Sequence, residues 1–578
     1  MTIREYTEEA VRKYLRTVLL VDDRLFQPKS EEAAGQEDGD ALCLSVAPDT
    51  SALYMADSVN IMDRFDQSKE TFLNEAPSPA AETFSPHKVV DGFYRQGIVC
   101  GLYEPKTSEF SDGTIPQRLV DLCDHSDVFI LDWKLKDNQT DSPVPILIEQ
   151  LLNRDDSCGE PRAVRFCAIY TDEALGTVFS ALHSAIIARF PQKTIEKDLS
   201  NYRIHLGGLT IRLYRKTDAP EAADNSKRFV SSSGLAETIV QDFVAEYEGI
   251  MSATALRGIA EIRSNAKRIL DKFPPALDYA LMVHAGLTVK EPTVPEDMQE
   301  LLSDEIRSIL SSPPLTDEDV YGMLHEKADK IPADKFRGVF PQKILKNEKT
   351  TQEEIKAFFC DVLKRNDGSA PNPFIVCNPS VVESEKIPSF GFLNRLLRLV
   401  KKVSASPTYS EGGLSQLFCY RTVYGNTRVL RFGTIVREMG SERRYVCMMP
   451  TCDCVRLDDD VIEFPFWELT PVDANHRGHA HGALVTDDRG KSKTLCVKGK
   501  IRKKMRFWKF HANREVKFEK NGEKFILSAE MESNPETRFE WVAELKPLHA
   551  QRMAEYVSRQ FSRVGLAESE WLRLQVDR

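Results

Sequence analysis

Long apolar runs are missing from this sequence, and no stretch reaches the length of a membrane-spanning helix. The chain also lacks the charged and then apolar opening of a secretion signal, because residues 1–16 space their charged and apolar side chains as an amphipathic helix does. We therefore expect a soluble, cytoplasmic protein. A chain of 578 residues with 42% hydrophobic composition is long enough for about three or four domains.

Cysteines in a disulfide pattern are also missing. The 12 cysteines are scattered, and several, such as Cys167 and Cys360, lie within apolar runs. This distribution favours buried, reduced thiols over a disulfide framework. The net charge of -11 argues against wholesale coating of nucleic acid, although it sets no limit on local basic patches.

What is present in the first part of the chain is a series of strand-like segments that end in polar side chains. Residues 18–21, 128–131, 166–170 and 209–214 read as buried strands, and residues 97–104 form a further strand without an acid at its end. Helix-compatible segments lie between them. Such alternation predicts an α/β domain with a five-stranded, doubly wound parallel sheet, whose ligands bind at the carboxyl ends of the strands.

The polar residues at these strand ends are Asp22 with Asp23, then Asp132, Thr171 and Lys216. Two adjacent carboxylates repel each other unless a cation lies between them, and a site made only of oxygen ligands suits Mg²⁺ better than zinc. Taken alone, the acid pair has a simpler interpretation as a solvated turn. The ordered set of strand ends favours a functional site.

This order of strand ends resembles the receiver domain of two-component response regulators, here of a divergent type found in bacterial phage-defence loci. The resemblance implies a flavodoxin-like fold and a Mg²⁺ site whose ligands are three acids and one main-chain carbonyl, namely those of Asp22, Asp23, Asp132 and Lys134. It also implies that Asp132 accepts a phosphoryl group, that Thr171 hydrogen-bonds it and that Lys216 pairs with it. A positioned carboxylate can attack a phosphoryl donor to form an acyl phosphate.

Several features depart from a standard receiver. Residues 27–85 form an insertion whose ends are rich in Ala, Ser, Pro, Gly and acidic residues, with a candidate short helix at residues 52–66. Arg24 follows the acid pair, where its guanidinium could take the place of the metal. No proline follows Lys216. The alternative is therefore a degenerate receiver that keeps the fold and binds no phosphate.

The predicted domains are a receiver-like domain at residues 1–232, a helical linker or relay region at 233–405, and a β-rich output domain at 410–578 with closing helices. The β-rich part has short strands separated by turn residues, as in a small barrel or sandwich. An apolar stripe opens the helical part and predicts a homodimer seam, an output helix or packing within the chain. Its members are Ile239, Phe243, Ile250, Ile259, Ile262, Ala266, Ile269 and Phe273.

Two short stretches near the end, PTCDCVRL and GLAESEWLR, resemble the carboxyl-terminal part of receiver-containing proteins of phage-defence loci. That resemblance implies a histidine-kinase-like ATPase of the GHKL type as a partner. It also implies a role in bacterial antiviral defence.

Residues 491–520 are strongly basic, with 12 Lys or Arg against Glu515 and Glu519. Cations bind phosphates and aromatic rings stack on bases, so the segment predicts DNA or RNA binding. The candidate residues are Lys500, Arg502, Lys503, Lys504, Arg506, Trp508 and Lys509. The alternative is a strand that buries its aromatic rings and leaves a solvated basic face.

Cysteine and histidine residues near the end could form a zinc site. They are Cys447, Cys452, Cys454, His476, His479 and His481. Their spacing matches no compact knuckle, and a solvated loop is the favoured interpretation of the histidines. Cys452 and Cys454 are expected to share one face of a strand, with Asp453 on the other face. A nucleophilic Cys452 paired with a histidine is a further alternative.

Taken together, the sequence predicts a signalling protein in which phosphorylation of Asp132 controls a carboxyl-terminal output module. It would be a phosphoacceptor regulator rather than an enzyme with turnover. The alternatives are a nucleic-acid-binding or nuclease effector gated by the receiver, and a scaffold that carries a degenerate receiver.

Overall fold

The computed structural model divides into two compact units, residues 7–257 and residues 258–578 with 1–6, and each is described by itself. The structure describes residues 1–23, 25, 84–105, 115–135, 142–158, 164–216, 228–287, 294–310, 315–316, 319–320, 322–323, 326, 374–376, 386–388, 413–423, 427–454, 457, 460–471, 482–486, 492–497, 501–522, 524–530 and 537–561. No helix in these ranges is long and apolar enough to cross a membrane. The predicted domain boundaries stay predictions.

Helices and strands alternate from residue 3 to residue 198, as predicted, and further strands follow before the next described helix. The strands are β1 (Thr17–Val21), β2 (Val99–Tyr103), β3 (Val128–Leu131), β4 (Arg165–Thr171), β5 (Ile195–Asp198), β6 (Arg203–Leu206), β7 (Leu209–Lys216) and β8 (Phe229–Val230). The helices are α1 (Ile3–Tyr14), α2 (Pro86–Tyr94), α3 (Gln117–Asp124), α4 (Val144–Cys158), α5 (Leu175–Arg189) and α6 (Leu235–Glu246).

The described strands of this part form one mixed sheet in the order β2-β1-β3-β4-β7-β6-β5, with β8 paired to β7. Strands β2, β1, β3, β4 and β7 run parallel, which confirms the predicted parallel core. Strands β5 and β6 add an antiparallel hairpin that the sequence analysis did not anticipate. The sheet is therefore wider than the predicted five strands.

The parallel core depends on its central strands β1, β3 and β4, which carry apolar residues on both faces. Every residue of β3 and β4 is buried. Such strands are stable only when helices cover both faces of the sheet. The apolar residues of α3, α4 and α5 pack with those of the strands into one continuous cluster. This packing brings the carboxyl ends of β1, β3, β4 and β7 to one edge.

Charged contacts from α6 hold β6 and β7 in place. The Arg203 guanidinium of β6 donates from Nε to Glu246 at 2.7 Å, and the Tyr214 hydroxyl of β7 donates to Asp242 at 2.7 Å. Burial alone would raise the pKa of Glu246, but the guanidinium groups of Arg203 and Arg212 hold that pKa below its usual value. The helix and the strand edge are thus joined by ion pairs with little access to water.

The helical middle contains α7 (Ile250–Ser264), α8 (Ala266–Leu270), α9 (Asp278–Leu287) and α10 (Val294–Ile309). The apolar stripe does not lie on one long helix, because α6 ends before α7 begins. Ile239 and Phe243 are fully buried in the amino-terminal unit, whereas Ile259 is 41% exposed. The first part of the stripe therefore packs within its own chain.

The carboxyl-terminal part is rich in strands, as predicted, although its first two described strands lie within residues 233–405, which were predicted to be helical. The strands are β9 (Phe374–Val376), β10 (Lys386–Pro388), β11 (Tyr420–Arg421), β12 (Arg428–Val429), β13 (Thr434–Glu438), β14 (Arg444–Cys447), β15 (Val461–Glu468), β16 (Thr470–Pro471), β17 (Gly482–Thr486), β18 (Ser492–Cys496), β19 (Met505–His511), β20 (Lys517–Asn521), β21 (Lys524–Ser528) and β22 (Arg538–Leu545). The helices are α11 (Gly413–Cys419), α12 (Ile501–Lys504) and α13 (Pro547–Phe561).

The main described sheet of this part has the order β12-β20-β21-β22-β13-β14-β15-β19, with β11 paired to β22. Successive residues of β14 enter different apolar clusters, since Val446 packs in a cluster with α13 and Tyr445 packs in an aromatic one. One expectation is corrected here. Cys452 and Cys454 were predicted to share a strand face, but residues 451–454 form a 3₁₀ turn that follows Pro450.

Replacement of Glu246 by Gln tests the ion pairs of α6. We expect the free energy of unfolding to fall by about 2 kcal/mol at neutral pH, because the variant removes the buried counter-charge of Arg203, while Arg212 keeps its pair with Asp242. The pKa of Glu246 is lowered in the folded state, so this stabilisation is present above the unfolded-state pKa and is lost as pH falls through the folded-state pKa. Hydrogen exchange of β6 and β7 amides in the full chain measures the difference.

The matched control is Glu237→Gln on the same helix. Its carboxylate is half-exposed and pairs with Arg12 at the surface, so we expect little change. If the β6 and β7 amides exchange hydrogen equally slowly in the wild type and in Glu246→Gln at neutral pH, Glu246 does not stabilise these strands.

Candidate functional site

Backbone pairing brings the predicted polar residues to one edge of the parallel sheet. Asp22 directly follows β1, and Asp132 directly follows β3. The main-chain nitrogen of Asp132 donates to the Val21 carbonyl at 3.0 Å, so the hydrogen bonds between β1 and β3 continue as far as Asp132. Thr171 and Lys216 are the last residues of the neighbouring strands β4 and β7.

The three predicted acids form one cluster. Asp22, Asp23 and Asp132 each offer a carboxylate oxygen, and these oxygens lie within 4.8 Å of one another. Asp22 and Asp132 are buried, and Asp23 is half-buried. Several hard oxygen ligands at such distances are what a divalent cation such as Mg²⁺ requires. The residues present therefore fit the expected metal, and the acidic pocket can bind a divalent ion.

Lys216 supplies a cation to this cluster. Its Nζ lies 3.0 Å from an oxygen of Asp22 and 3.5 Å from Oδ2 of Asp132, and its side chain is 0% exposed. Burial alone would lower the pKa of Lys216, but the carboxylates of Asp132 and Asp22, with Asp172, outweigh it and raise the pKa above its usual value. The ammonium therefore stays charged at neutral pH.

The carboxylate of Asp132 has a defined orientation. The main-chain nitrogen of Trp133 donates to its Oδ1 at 2.8 Å, while Oδ2 faces Lys216. Charge-assisted hydrogen bonds of this kind fix a carboxylate more firmly than neutral ones do. A nucleophilic carboxylate needs such fixation, because phosphoryl transfer depends mainly on positioning and on the surrounding charge.

The comparison with known families agrees with this geometry. Residues 14–221 match the family model of the response receiver domain. This segment is a receiver domain. The match contains every strand-end residue described above, and residues 222–578 are not assigned to a family. No curated protein and no solved structure matches the chain.

Two further predicted residues, Thr171 and Lys134, lie at or just after the ends of β4 and β3. The Thr171 side chain is buried, and its Oγ1 accepts a hydrogen bond from the Glu173 nitrogen at 3.3 Å. The ammonium of Lys134 pairs with the Glu173 carboxylate. The phosphoryl contact of Thr171 and the metal contact of the Lys134 carbonyl stay predictions. Arg24 lies outside the described residues.

Aromatic residues around Lys216 were not foreseen from the sequence. The Phe84 ring centroid lies 4.3 Å from Lys216 Nζ, and the Tyr170 ring centroid lies 5.6 Å from it. Tyr170 precedes Thr171 in a buried strand, so its position beside the pocket could have been suspected. Phe84 lies at the end of the 27–85 insertion, and nothing in its local sequence points to Lys216.

The basic stretch of the carboxyl-terminal unit is divided between packed and exposed side chains. Trp508 packs edge to face on Tyr445 at 4.7 Å, and Lys504 pairs with Glu468 at 2.7 Å. Phe507 is 55% exposed, and Lys503 and Lys509 are exposed as well. Arg506 is half-buried and lies on β19 with Phe507 and Lys509. Lys500 and the side chain of Arg502 lie outside the described residues. Nucleic-acid binding stays a prediction.

The zinc hypothesis is likewise untested. Cys447 and Cys454 are buried in the same aromatic cluster, and burial raises the pKa of the Cys447 thiol. His476, His479 and His481 lie outside the described residues, as does the side chain of Cys452. Within the described residues, the acids of the receiver domain are the group that could hold a metal ion.

Replacement of Lys216 by Met tests the central ion pair. Removing one partner of a buried ion pair leaves carboxylates uncompensated, so we expect a loss of about 3 kcal/mol in the free energy of unfolding at neutral pH without divalent ions. The pKa of Lys216 is raised on folding. The stabilisation that Lys216 gives the folded state is therefore present at neutral and lower pH and is lost only as pH rises through the folded-state pKa. Hydrogen exchange of the β1 and β3 amides measures the effect. The control is Lys197→Met on the exposed face of β5; if both variants behave alike, Lys216 has no special role.

Titration with Mg²⁺ tests the acidic cluster. An ion that binds only the folded state raises stability by about 2.7 kcal/mol at a hundred times its Kd, so we expect the melting temperature of the wild-type chain to rise with Mg²⁺. Asp23→Asn should remove most of that rise, because it deletes a half-buried ligand without touching the Lys216 pairs. Asp91→Asn is the control, because Asp91 is a half-exposed acid paired with Arg95 on α2. A rise of equal size in Asp23→Asn would argue against metal binding at this cluster.

Proposed function

We propose that this protein is a response regulator whose receiver domain accepts a phosphoryl group on Asp132, with Mg²⁺ held by Asp22, Asp23 and Asp132. The observation that carries the proposal is the convergence of three carboxylates and the Lys216 ammonium at the carboxyl edge of the parallel sheet. Such convergence requires separate chain segments to end in the right residues at the right strands. A solvated acidic turn would not place a buried lysine between two of its acids.

The reaction would be a simple displacement. An oxygen of the Asp132 carboxylate forms a bond to phosphorus, and the bond from phosphorus to the donor breaks with its electron pair going to the leaving group. Lys216 would pair with the oxygens of the transferred group, since its Nζ already lies 3.5 Å from Asp132. When bound, Mg²⁺ would neutralise further charge on those oxygens.

The remaining receiver residues have supporting parts in this proposal. The Thr171 hydroxyl, at the buried end of β4, would donate a hydrogen bond to the phosphoryl group. The main-chain carbonyl of Lys134, two residues after Asp132, would complete the metal ligands. Both assignments rest on the receiver family match and on the positions of these residues at the same sheet edge.

Receiver domains in general receive their phosphoryl group through a kinase, and we propose a histidine-kinase-like ATPase of the GHKL type as the donor partner. The carboxyl-terminal β-rich region would be the controlled output, and bacterial antiviral defence would be the setting. This part of the proposal rests on the resemblance of two short stretches, PTCDCVRL and GLAESEWLR. The separate β-rich sheet of the carboxyl-terminal unit is compatible with an output module.

Beryllofluoride, which mimics an aspartyl phosphate, tests the proposed acceptor. We expect the full chain to bind beryllofluoride only in the presence of Mg²⁺, and Asp132→Asn to abolish the binding, because the mimic needs the Asp132 carboxylate. Isothermal titration calorimetry measures both. Asp91→Asn is the control and should bind as wild type does. Absence of Mg²⁺-dependent binding by the wild type, or unchanged binding by Asp132→Asn, would exclude the acceptor role.

A further inference from the structure

The environment of Lys216 contains more than its carboxylate partners. The Phe84 ring centroid lies 4.3 Å from Nζ, closer than the ring of Tyr170 at 5.6 Å. The two rings meet edge to face with their centroids 5.9 Å apart. The ammonium is therefore enclosed by carboxylates and aromatic rings together, with no exposed surface.

Both rings are held by one short segment that follows β7. The Tyr170 hydroxyl donates to the Val230 carbonyl at 2.8 Å, and the main-chain nitrogen of Ser85, next to Phe84, donates to Ser232 Oγ at 3.1 Å. Val230 in turn pairs with Lys216 in the parallel β7–β8 ladder. The rings therefore have a fixed position relative to the lysine backbone.

An aromatic face attracts a cation, and the attraction is stronger where water is excluded. The Lys216 side chain has no exposed surface, so its contact with the Phe84 ring is made where water is excluded. A lysine side chain also has many rotamers, and a ring packed on Nζ limits them. The Phe84 ring therefore both attracts the Lys216 ammonium and limits the rotamers of that side chain, although Phe84 lies far from Lys216 in the sequence.

We infer that Phe84 is a positioning residue for Lys216, and that its ring packs on the ammonium and keeps it directed at Asp22 and Asp132. The inference rests on the proposed function only for what Lys216 is positioned to do, namely to meet the phosphoryl group on Asp132. It gives a role in the receiver site to the last part of the 27–85 insertion.

The variants separate the charge interaction from simple packing. Phe84→Leu keeps an apolar side chain and removes the aromatic face, whereas Phe84→Tyr keeps the face. Phe229→Leu is the matched control, because the Phe229 ring lies 5.1 Å from the guanidinium carbon of Arg215, the residue before Lys216. Hydrogen exchange of the full chain confirms that each variant is folded.

The first measurement needs no phosphoryl chemistry. Reductive methylation requires the reagent to reach Nζ, so its rate at Lys216, followed by mass spectrometry at one pH without Mg²⁺, reports on how firmly the side chain is held. We expect methylation to be roughly tenfold faster in Phe84→Leu, and to stay at the wild-type rate in Phe84→Tyr and Phe229→Leu. An unchanged rate in Phe84→Leu, or an equal rise in Phe84→Tyr, would overturn the inference whatever beryllofluoride does.

The second measurement is the affinity of the same variants for beryllofluoride with Mg²⁺. We expect roughly tenfold weaker binding in Phe84→Leu and near wild-type binding in the other two. If wild type binds and Phe84→Leu binds equally well, the inference fails while the proposed function stands. If wild type does not bind, the proposed function fails, and the methylation rates alone decide whether Phe84 positions Lys216.

Discussion

The ammonium of Lys216, buried between the carboxylates of Asp22 and Asp132, is the interaction on which the receiver site depends. Without a cation, these acids would repel one another in a region with little water to screen them. Three carboxylates and one ammonium still leave two formal negative charges in the cluster. A divalent ion would neutralise that remainder. The lysine thus makes the cluster stable enough to form and leaves it charged enough to bind metal.

The backbone gives this lysine little freedom. Strand β7 pairs with β4 along one edge over the whole span from Leu209 to Arg215. Its other edge is shared, because β6 pairs with residues 209–212 and β8 pairs with Arg215 and Lys216. A strand with ladders on both sides cannot slip by one residue without moving its side chains to the opposite face. The position of Nζ relative to the acids therefore follows from the register of the sheet.

Much of this could be predicted from the sequence, since β1, β3 and β4 contain continuous apolar runs and polar residues mark the ends of β1, β3, β4 and β7. Nothing comparable marks β5, whose residues 195–198 include three charged side chains, so the hairpin was missed. Phe84 was missed because its contact with Lys216 joins distant segments. The prediction of a strand at residues 451–454 was wrong. Over so short a span, the alternation of Cys452 and Cys454 is as compatible with a 3₁₀ turn as with a pleated strand.

The contacts around Lys216 also limit where a change of charge in the pocket can be accommodated. Strands β3 and β4 are buried along their whole length, and moving them would disrupt the close packing of the core. Strand β8 is different, because it has only two residues and Phe229 is half-buried. Its ladder reaches Lys216, its carbonyl accepts from Tyr170, and α6 begins shortly after it. Among the described strands that contact Lys216, β8 therefore contributes the fewest buried residues to the core.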